Sequence, residues 1–313
     1  MTEPIIILTP VYNDGESLNI LLAELGTALK EFNDAKFTVL VVDDGSTDPL
    51  VIKPSSLPVK VLHMQRNIGH QKAIAIGLAY IKENMPCDKV LVMDSDGEDR
   101  PEDAVALLKS SAANPGKIIF AKRRSRQEGN GFRFFYRLYK IAFRILTGKK
   151  IAFGNFLLMP KPLLDKAVYY SGIWNHIAGG ILKTGLPYIA VATNRGKRYA
   201  GESKMNFHSL LMHGLGAIAV FIEVIASRLL IFSLVLIGIS LLAILALIGI
   251  RAFTDLAIPG WTSTVASAML IILLQSFLLS LFTIFLYLSS ESQRKFIPAQ
   301  HYKDYTGEVE TIQ

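Results

Sequence analysis

Two stretches near the carboxyl terminus constrain this chain more than any other feature. Residues 229–250 run for twenty-two positions without a charge, and residues 261–290 are again uncharged, with Gln275 their most polar member. A helix rises about 1.5 Å per residue, so about 20 apolar residues cross the hydrocarbon core of a bilayer. Both stretches are long enough, and spans over about 229–250 and 263–288 are expected to form a hairpin. A soluble core is the weaker reading, because buried globular helices of this length rarely lack charge on every face. These stretches also account for the composition: 51% hydrophobic against 19% charged residues, with a mean hydropathy of +0.36.

The flanks orient the hairpin. Arg228 precedes the first span and Arg294 and Lys295 follow the second, whereas the connecting loop carries Arg251 balanced by Asp255. Basic residues collect on the cytoplasmic side, so the portion ahead of the spans and both termini are expected there, in a multi-pass protein of the inner (cytoplasmic) membrane. Residues 291–313 read as a short polar cytoplasmic tail. The opening M-T-E-P-I-I-I-L-T-P lacks a basic region or cleavage signal and reads as a first strand. The single cysteine, Cys87, excludes an intrachain disulfide and a multi-cysteine metal site.

Residues 1–205 have a different texture. Short β-rich runs at 5–8, 37–42, 59–62, 89–93 and 117–120 alternate with helical spacing over 16–32, 70–84 and 101–113. That alternation predicts an α/β domain with a mostly parallel central sheet. Polar clusters follow four of the strands: T-P-V-Y-N-D, D-D-G-S-T-D, R-N-I-G-H and D-S-D-G-E-D. Ligands of open parallel sheets gather beyond the carboxyl ends of the strands, so these clusters are expected to share one cleft. Segment 132–146 combines aromatic and apolar residues with Arg133, Arg137, Lys140 and Arg144, as a helix lying on a membrane surface would. Residues 206–228 form a juxtamembrane helix leading into the first span.

The turn Asp94-Ser95-Asp96-Gly97-Glu98-Asp99 sets carboxylates two residues apart, a spacing that lets Asp94, Asp96 and Glu98 share a hard divalent cation, Mg²⁺ or Mn²⁺. Its glycine is wrongly placed for an EF-hand loop. In Asp43-Asp44-Gly45-Ser46 a carboxylate can accept from a nucleobase imide or a ribose hydroxyl, with a simple turn as the rival reading. Pro10-Val11-Tyr12-Asn13-Asp14 offers an aromatic face beside polar groups. Neither a phosphate loop nor a G-x-G-x-x-G after the first strand is present.

Guanidinium forks suit phosphate, and Arg123, Arg133, Arg198 and Lys204 stand among a basic set just ahead of the spans. Together with the net charge of +7, this favours an anionic membrane lipid or a lipid phosphate over a polynucleotide, and no nucleic-acid partner is expected. His63, at a strand end, reads as structural; His70, in the cleft-facing R-N-I-G-H-Q-K, is a candidate donor contact. Trp174-Asn175-His176 reads either as a cleft element or as a packed loop.

Taken together, P-V-Y-N-D, D-D-G-S, R-N-I-G, D-S-D-G-E-D-R-P-E-D, the basic segment, R-x-x-G-x-S-K and two spans resemble the polyprenyl-phosphate glycosyltransferases of glycosyltransferase family 2. The nearest branch contains dolichol-phosphate mannose synthases and bacterial undecaprenyl-phosphate glycosyltransferases. The resemblance implies a GT-A nucleotide-sugar-binding domain. It implies that Pro10, Tyr12, Asp14, Asp43 and Asp44 surround the nucleoside, with Asn67 and Gly69 of R-N-I-G also at the donor. Asp94, Asp96 and Glu98 would hold the metal and the diphosphate. Arg123, Arg133 and Arg198 would lie near the transferred sugar or the acceptor phosphate, with Ser203 and Lys204 in the last motif. The family commonly has glutamine at the position of Glu98, and Ile151 to Phe156 replace its usual segment.

The implied partners are a nucleotide-sugar donor, a polyprenyl-phosphate acceptor and a homotetrameric assembly. The implied reaction is inverting sugar transfer to undecaprenyl phosphate for the cell envelope. A family 2 enzyme with another lipid or glycan acceptor, and an inert nucleotide-sugar-binding scaffold, are the alternatives. The scaffold would leave Asp94 and Asp96 without a purpose.

Overall fold

Why Ile5-Ile6-Ile7-Leu8 shows no polar alternation is evident from its surroundings: the strand is covered on both faces. Ile5 and Ile7 pack with Leu18, Leu21, Leu25 and Leu107 on one side, while Ile6 and Leu8 pack with Ile74, Ile76 and Ile81 on the other. Strands of parallel sheets covered by helices on both faces read as such continuous runs. The computed structural model describes residues 3–32, 34–123, 130–149, 153–201, 207–254, 260–292 and 295–312, with backbone alone at 130–136, 207–211, 213, 262 and 291.

The chain forms two compact units. The first comprises residues 1–143, 149–220 and 295–313. It opens with β1 (Glu3–Val11), α1 (Gly15–Ala28), β2 (Ala35–Asp43), β3 (Val59–Met64), α2 (His70–Asn84), β4 (Lys89–Val92), α3 (Pro101–Ala113) and β5 (Ile118–Arg123). Then come α4 (Asn130–Thr147), whose residues from 144 onward belong to the second unit, β6 (Leu157–Pro160), α5 (Lys161–Ala167), α6 (Gly172–Asn175), α7 (Ile177–Thr184), β7 (Tyr188–Thr193) and α8 (Phe207–Ala219). The strands order as β7-β5-β6-β4-β1-β2-β3, with a further strand described below at the β3 edge. β1 is parallel to β2 and β4, β2 to β3, and β5 to β7, while β6 runs antiparallel between β4 and β5. The strands and helices expected from the sequence match β1 to β5 and α1 to α3 closely. α3 starts with Pro101 and carries Glu102 and Asp103 in its first turn, where proline costs no hydrogen bond and acids meet the positive helix end.

The second unit comprises 144–148 and 221–294, with α9 (Ile222–Phe253) and α10 (Trp261–Ser292) as its main helices. Both are long and apolar enough to cross a membrane by length and composition. Their buried positions are mostly small residues: Ser233 and Ser240 on α9, with Leu247 seven positions further on, and Ser276, Ser280 and Thr283 on α10. Ser233, Ser280 and Thr283 donate their hydroxyls to carbonyls four residues earlier, which satisfies those three donors. Small hydroxylated residues allow close approach of helices that have no hydrophobic drive to associate in lipid. The surrounding Leu, Ile and Phe side chains are exposed.

The segment after the hairpin departs from the sequence reading. Rather than a polar extension, it forms α11 (Pro298–His301) and β8 (Thr306–Ile312), and β8 joins the sheet antiparallel to β3. Phe296 lies 3.8 Å from the Trp174 ring, Tyr302 is buried, and Asn84 Nδ2 donates to the Tyr302 hydroxyl. Glutamates on exposed positions of an edge strand hide its β character from a composition-based reading. The helix expected over 132–146 is present as α4, whose Leu138, Ile141 and Ile145 form an exposed apolar stripe beside Arg137, Lys140 and Arg144.

Candidate active site

The four polar clusters do meet at the carboxyl edge of the sheet. β1 ends at Val11, and the chain turns through Asn13, a non-glycine residue at φ +48°. Asparagine tolerates this left-handed conformation when its side chain bonds locally. Asn13 Oδ1 accepts from the backbone N–H of Thr47 and Asp48, its Nδ2 donates to Thr47 Oγ1, and its own N–H donates to Ser46 Oγ. The staple fixes Tyr12, which is exposed, and Asp14 relative to the Asp43-to-Asp48 loop. Pro10 is buried within β1, where its carbonyl accepts from Ser95 Oγ at 3.0 Å.

Asp43 and Asp44 have different duties. Both oxygens of Asp44 accept backbone N–H groups, from Ile68 at 2.8 Å and Gly69 at 2.9 Å, locking the Arg66-to-Gly69 loop against the second cluster. Burial raises its pKa, and those two N–H groups oppose the shift. Gly45, at φ +68°, lies so close to the backbone of Arg66 and Asn67 that a Cβ there would sit 2.5 Å from both. Asn67 is exposed beyond it. Asp43 Oδ1 accepts from the Ser46 N–H, and Oδ2 faces His63 Nδ1 at 3.0 Å.

Past β4 the acidic turn is wound by its own side chains. Asp99 Oδ2 accepts from the Asp94 N–H and Asp96 Oδ1 from the Glu98 N–H. Gly97 has φ +86°, and a Cβ on it would lie 2.7 Å from the Tyr199 ring. The segment around Tyr199 is strapped to this turn through Gly196 N–H to Glu98 O and Tyr199 N–H to Asp96 O. Burial, then the neighbouring Asp94, raises the pKa of Asp96. Burial pushes that of Asp99 up to about 7.

Cations surround these acids. Arg198 bridges Asp96 Oδ2 at 2.8 Å and Asp14 Oδ2 at 3.0 Å. Arg123 reaches Asp99 at 3.3 Å and Glu98 at 3.4 Å, and Arg195 also pairs with Glu98. His70, the first residue of α2, places Nε2 3.2 Å from Asp94 Oδ1 and 3.1 Å from the Asn155 amide nitrogen. A cleft of about 240 Å³ opens between residues 13–16 and Arg198, Ala200 and Gly201. A larger opening, about 820 Å³, lies between α1 and residues 46–53 and receives nothing from the acidic turn.

The hard oxygen donors of Asp94 and Asp96 would suit a divalent cation, with a diphosphate to supply further oxygen ligands. Glu98 is instead directed to two arginines, and no group of three His, Cys, Asp or Glu side chains set to hold a metal occurs among the described residues. The site therefore brings together Asp14, Asp94, Asp96, Glu98, Arg123 and Arg198, with Asp43, Asp44 and Gly69 behind them. Arg133 lies on α4, where only the backbone is described, and Ser203 and Lys204 lie outside the described residues. Asn13, Arg195 and Tyr199 join the site without having been singled out as donor contacts. A signal existed for two of them: asparagine ahead of Asp-Gly marks a left-handed turn, and Arg195 begins the basic run ending in Lys204. Trp174 and His176 are packed away, the first against Phe296 and the second as the buried N-cap of α7.

Comparison with known proteins bears on the fold and the family. A solved structure of glucosyl-3-phosphoglycerate synthase from Mycobacterium tuberculosis, in complex with Mn²⁺, UDP-glucose and phosphoglyceric acid, is similar over 71% of this chain and 80% of its own. The TM-score is 0.50 at 16% identity, which supports the GT-A-like fold. Uncharacterized glycosyltransferase YkcC of Bacillus subtilis (strain 168) is 26% identical over 277 residues, 84% of this chain and 82% of that protein. Undecaprenyl-phosphate 4-deoxy-4-formamido-L-arabinose transferase of Sodalis glossinidius is 30% identical over 161 residues, 49% of this chain and 47% of its own. The Salmonella choleraesuis protein of that name is 26% identical over 66% of this chain and 63% of its own. The family model described as Glycosyl transferase family 2 matches residues 6–172, and this glycosyltransferase chain belongs to that family.

Proposed function

We propose that the protein transfers a sugar, with inversion, from a nucleotide sugar to polyprenyl phosphate, undecaprenyl phosphate in a bacterial membrane, at the cytoplasmic face. The observation that carries this reading is the pairing of Arg198 with Asp96 and of Arg123 with Asp99, on the acidic turn that also holds Asp94, in a chain that bears two long apolar helices. Relatives named undecaprenyl-phosphate transferases support the acceptor, and the nucleotide-sugar complex of a fold relative supports the donor.

The chemistry asks little of a base. A phosphate oxygen of the acceptor is already anionic; it forms a bond to the anomeric carbon while the bond from that carbon to the donor diphosphate breaks, and the nucleoside diphosphate leaves. Orientation and charge neutralisation are then the main sources of rate. Asp94 and Asp96 would hold Mg²⁺ or Mn²⁺, which when bound neutralises charge on the leaving diphosphate. Arg198 and Arg123 supply the planar donors that align phosphate oxygens. Tyr12 and Asp43 face the nucleoside, and Asp44 keeps the loop beneath it in place.

Membrane placement follows from chain connectivity. The chain leaves the first compact unit before α9 and returns to it after α10, which supports two crossings with the catalytic unit and both termini on one side. The exposed stripe of Leu138, Ile141 and Ile145, with its basic neighbours, suits an anionic lipid surface. Residues 1–205 then act as the catalytic domain and 229–290 as the anchor.

The test is acceptor choice. Protein in nanodiscs with Mg²⁺ or Mn²⁺ is offered labelled nucleotide sugars with undecaprenyl phosphate, dolichyl phosphate or diacylglycerol. Label in a polyprenyl phosphate, with the anomeric configuration inverted by NMR, is the expected product. Transfer confined to diacylglycerol, or no transfer from any donor, contradicts the reading.

A further inference from the structure

The strand that follows the membrane hairpin reaches the donor side of the molecule through a single histidine. β8 pairs with β3 at Leu62↔Val309 and Met64↔Thr306, and the register shifts between those pairs, at His63. The extra residue is on β8, where Gly307 and Glu308 stand opposite the one residue His63, so it is β8 that bends there. Gly307 passes close beneath His63, where a Cβ would lie 3.2 Å from the His63 carbonyl oxygen. The His63 ring spans two carboxylates: Nδ1 lies 3.0 Å from Asp43 Oδ2 and Nε2 lies 3.8 Å from Glu310 Oε2.

The two carboxylates differ in their need for a partner. Asp43 is 6% exposed at the end of β2, whereas the Glu310 side chain is 62% exposed on the outer strand. A buried carboxylate left short of a donor is costly, while an exposed one is satisfied by water. The Nδ1–H tautomer is therefore the one that the site favours, with Nδ1 donating to Asp43 and Nε2 turned to the solvent side, where Glu310 stands. With the Ser46 N–H on Oδ1 and the imidazole on Oδ2, both oxygens of Asp43 are held from behind. Each oxygen keeps a further lone pair for an incoming donor, so the carboxylate plane is set before a ligand arrives.

We propose that His63, held by its packing against β8 at Gly307, is a positioning residue that orients Asp43 toward the nucleobase, so that the segment after the hairpin contributes to nucleotide recognition. This rests on the reading of Asp43 as a nucleoside contact. It gives β8 a role beyond closing the sheet edge, and it ties base recognition to residues nearly 250 positions further along the chain.

The experiment measures binding of UDP, GDP, CDP and inorganic pyrophosphate, each with Mg²⁺, to the full-length protein in nanodiscs by calorimetry. For the nucleotide that binds most tightly, His63→Phe is expected to raise Kd about tenfold and Gly307→Val, which sets a branched side chain against the His63 carbonyl, about threefold. His63→Asn, whose amide can donate from near the Nδ1 position, recovers most of the loss. Pyrophosphate, which has no base, binds wild type and His63→Phe equally. Asp43→Asn separates the two claims. If it binds nucleotide as wild type does, the underlying reading of Asp43 falls. If it weakens binding while His63→Phe does not, the positioning role alone is overturned. An equal loss of pyrophosphate affinity in His63→Phe also overturns it, since that result means general damage to the fold.

Discussion

Arg198 sits on Asp96, with NH1 2.8 Å from Oδ2, at the carboxylate proposed to meet the cation. The same guanidinium reaches Asp14 at 3.0 Å, so one side chain neutralises acids from the ends of β1 and β4. Because a guanidinium and a divalent cation compete for the same carboxylate, Arg198→Ala is expected to tighten Mn²⁺ binding severalfold in the absence of nucleotide. Transfer should fall by about 10²- to 10³-fold, the range seen when a charge-stabilising donor is removed. Manganese titration followed by EPR checks the first outcome; weaker Mn²⁺ binding would mean that Arg198 organises the acids rather than competing for them.

The Asn13 staple separates strain from bonding. Asn13→Ala loses the side-chain bonds to Thr47 and Asp48 while keeping a Cβ at φ +48°, and is expected to destabilise the catalytic unit by about 1–3 kcal/mol. Asn13→Gly loses the same bonds but relieves the backbone, so its thermal midpoint should lie between those of wild type and Asn13→Ala. Both variants should lose transfer activity, because Tyr12 and Asp14 lose their anchor.

Cys87 is a buried thiol whose pKa burial pushes up to about 11 from an ordinary 9.0. Raised above the unfolded value, it stays protonated through neutral pH and contributes no pH dependence to stability until about pH 9. Only the thiolate reacts, so at pH 8 the native protein should label with a disulfide reagent about 100-fold more slowly than the unfolded chain, before any slowing from restricted access. Equal rates in native and denatured protein would contradict its burial.

The α9–α10 contact depends on small residues. Ser280 is 6% exposed, and Ser280→Leu inserts three carbons where the backbones approach; overpacking of this kind costs about 1–3 kcal/mol. Denaturant titration in detergent should show a lower midpoint for Ser280→Leu than for Leu278→Ala, whose side chain faces outward.

What was legible in the sequence followed burial. Ile5 to Leu8, Val39 to Val42 and Val90 to Val92 announce a parallel sheet because strands covered on both faces need apolar residues at every position. Asp94, Asp96 and the two spans were visible because acids at a strand end and charge-free helices have few other uses. β8 was hidden: Thr306 to Ile312 holds two glutamates and one glycine, and its strand character comes from pairing with β3 rather than from its own propensity. Glu98 was grouped with its neighbours by spacing, yet its direction depends on Arg123 and Arg195, which come from distant parts of the chain. Asp43 and Asp44 looked equivalent, and only the fold assigns Asp44 to the backbone of Ile68 and Gly69.

The central claim is that Asp94 and Asp96 carry metal-assisted transfer of a sugar to a lipid phosphate, and one measurement tests it most directly. Wild type and Asp96→Asn, both in nanodiscs, are compared for the initial rate at which label passes from a nucleotide sugar to undecaprenyl phosphate, with Mg²⁺ or Mn²⁺ and with EDTA. The account predicts label in the lipid fraction for wild type, its loss with EDTA, and at least about a 100-fold lower rate for Asp96→Asn at unchanged membrane association. An Asp96→Asn rate equal to that of wild type, or transfer undiminished by EDTA, would contradict it.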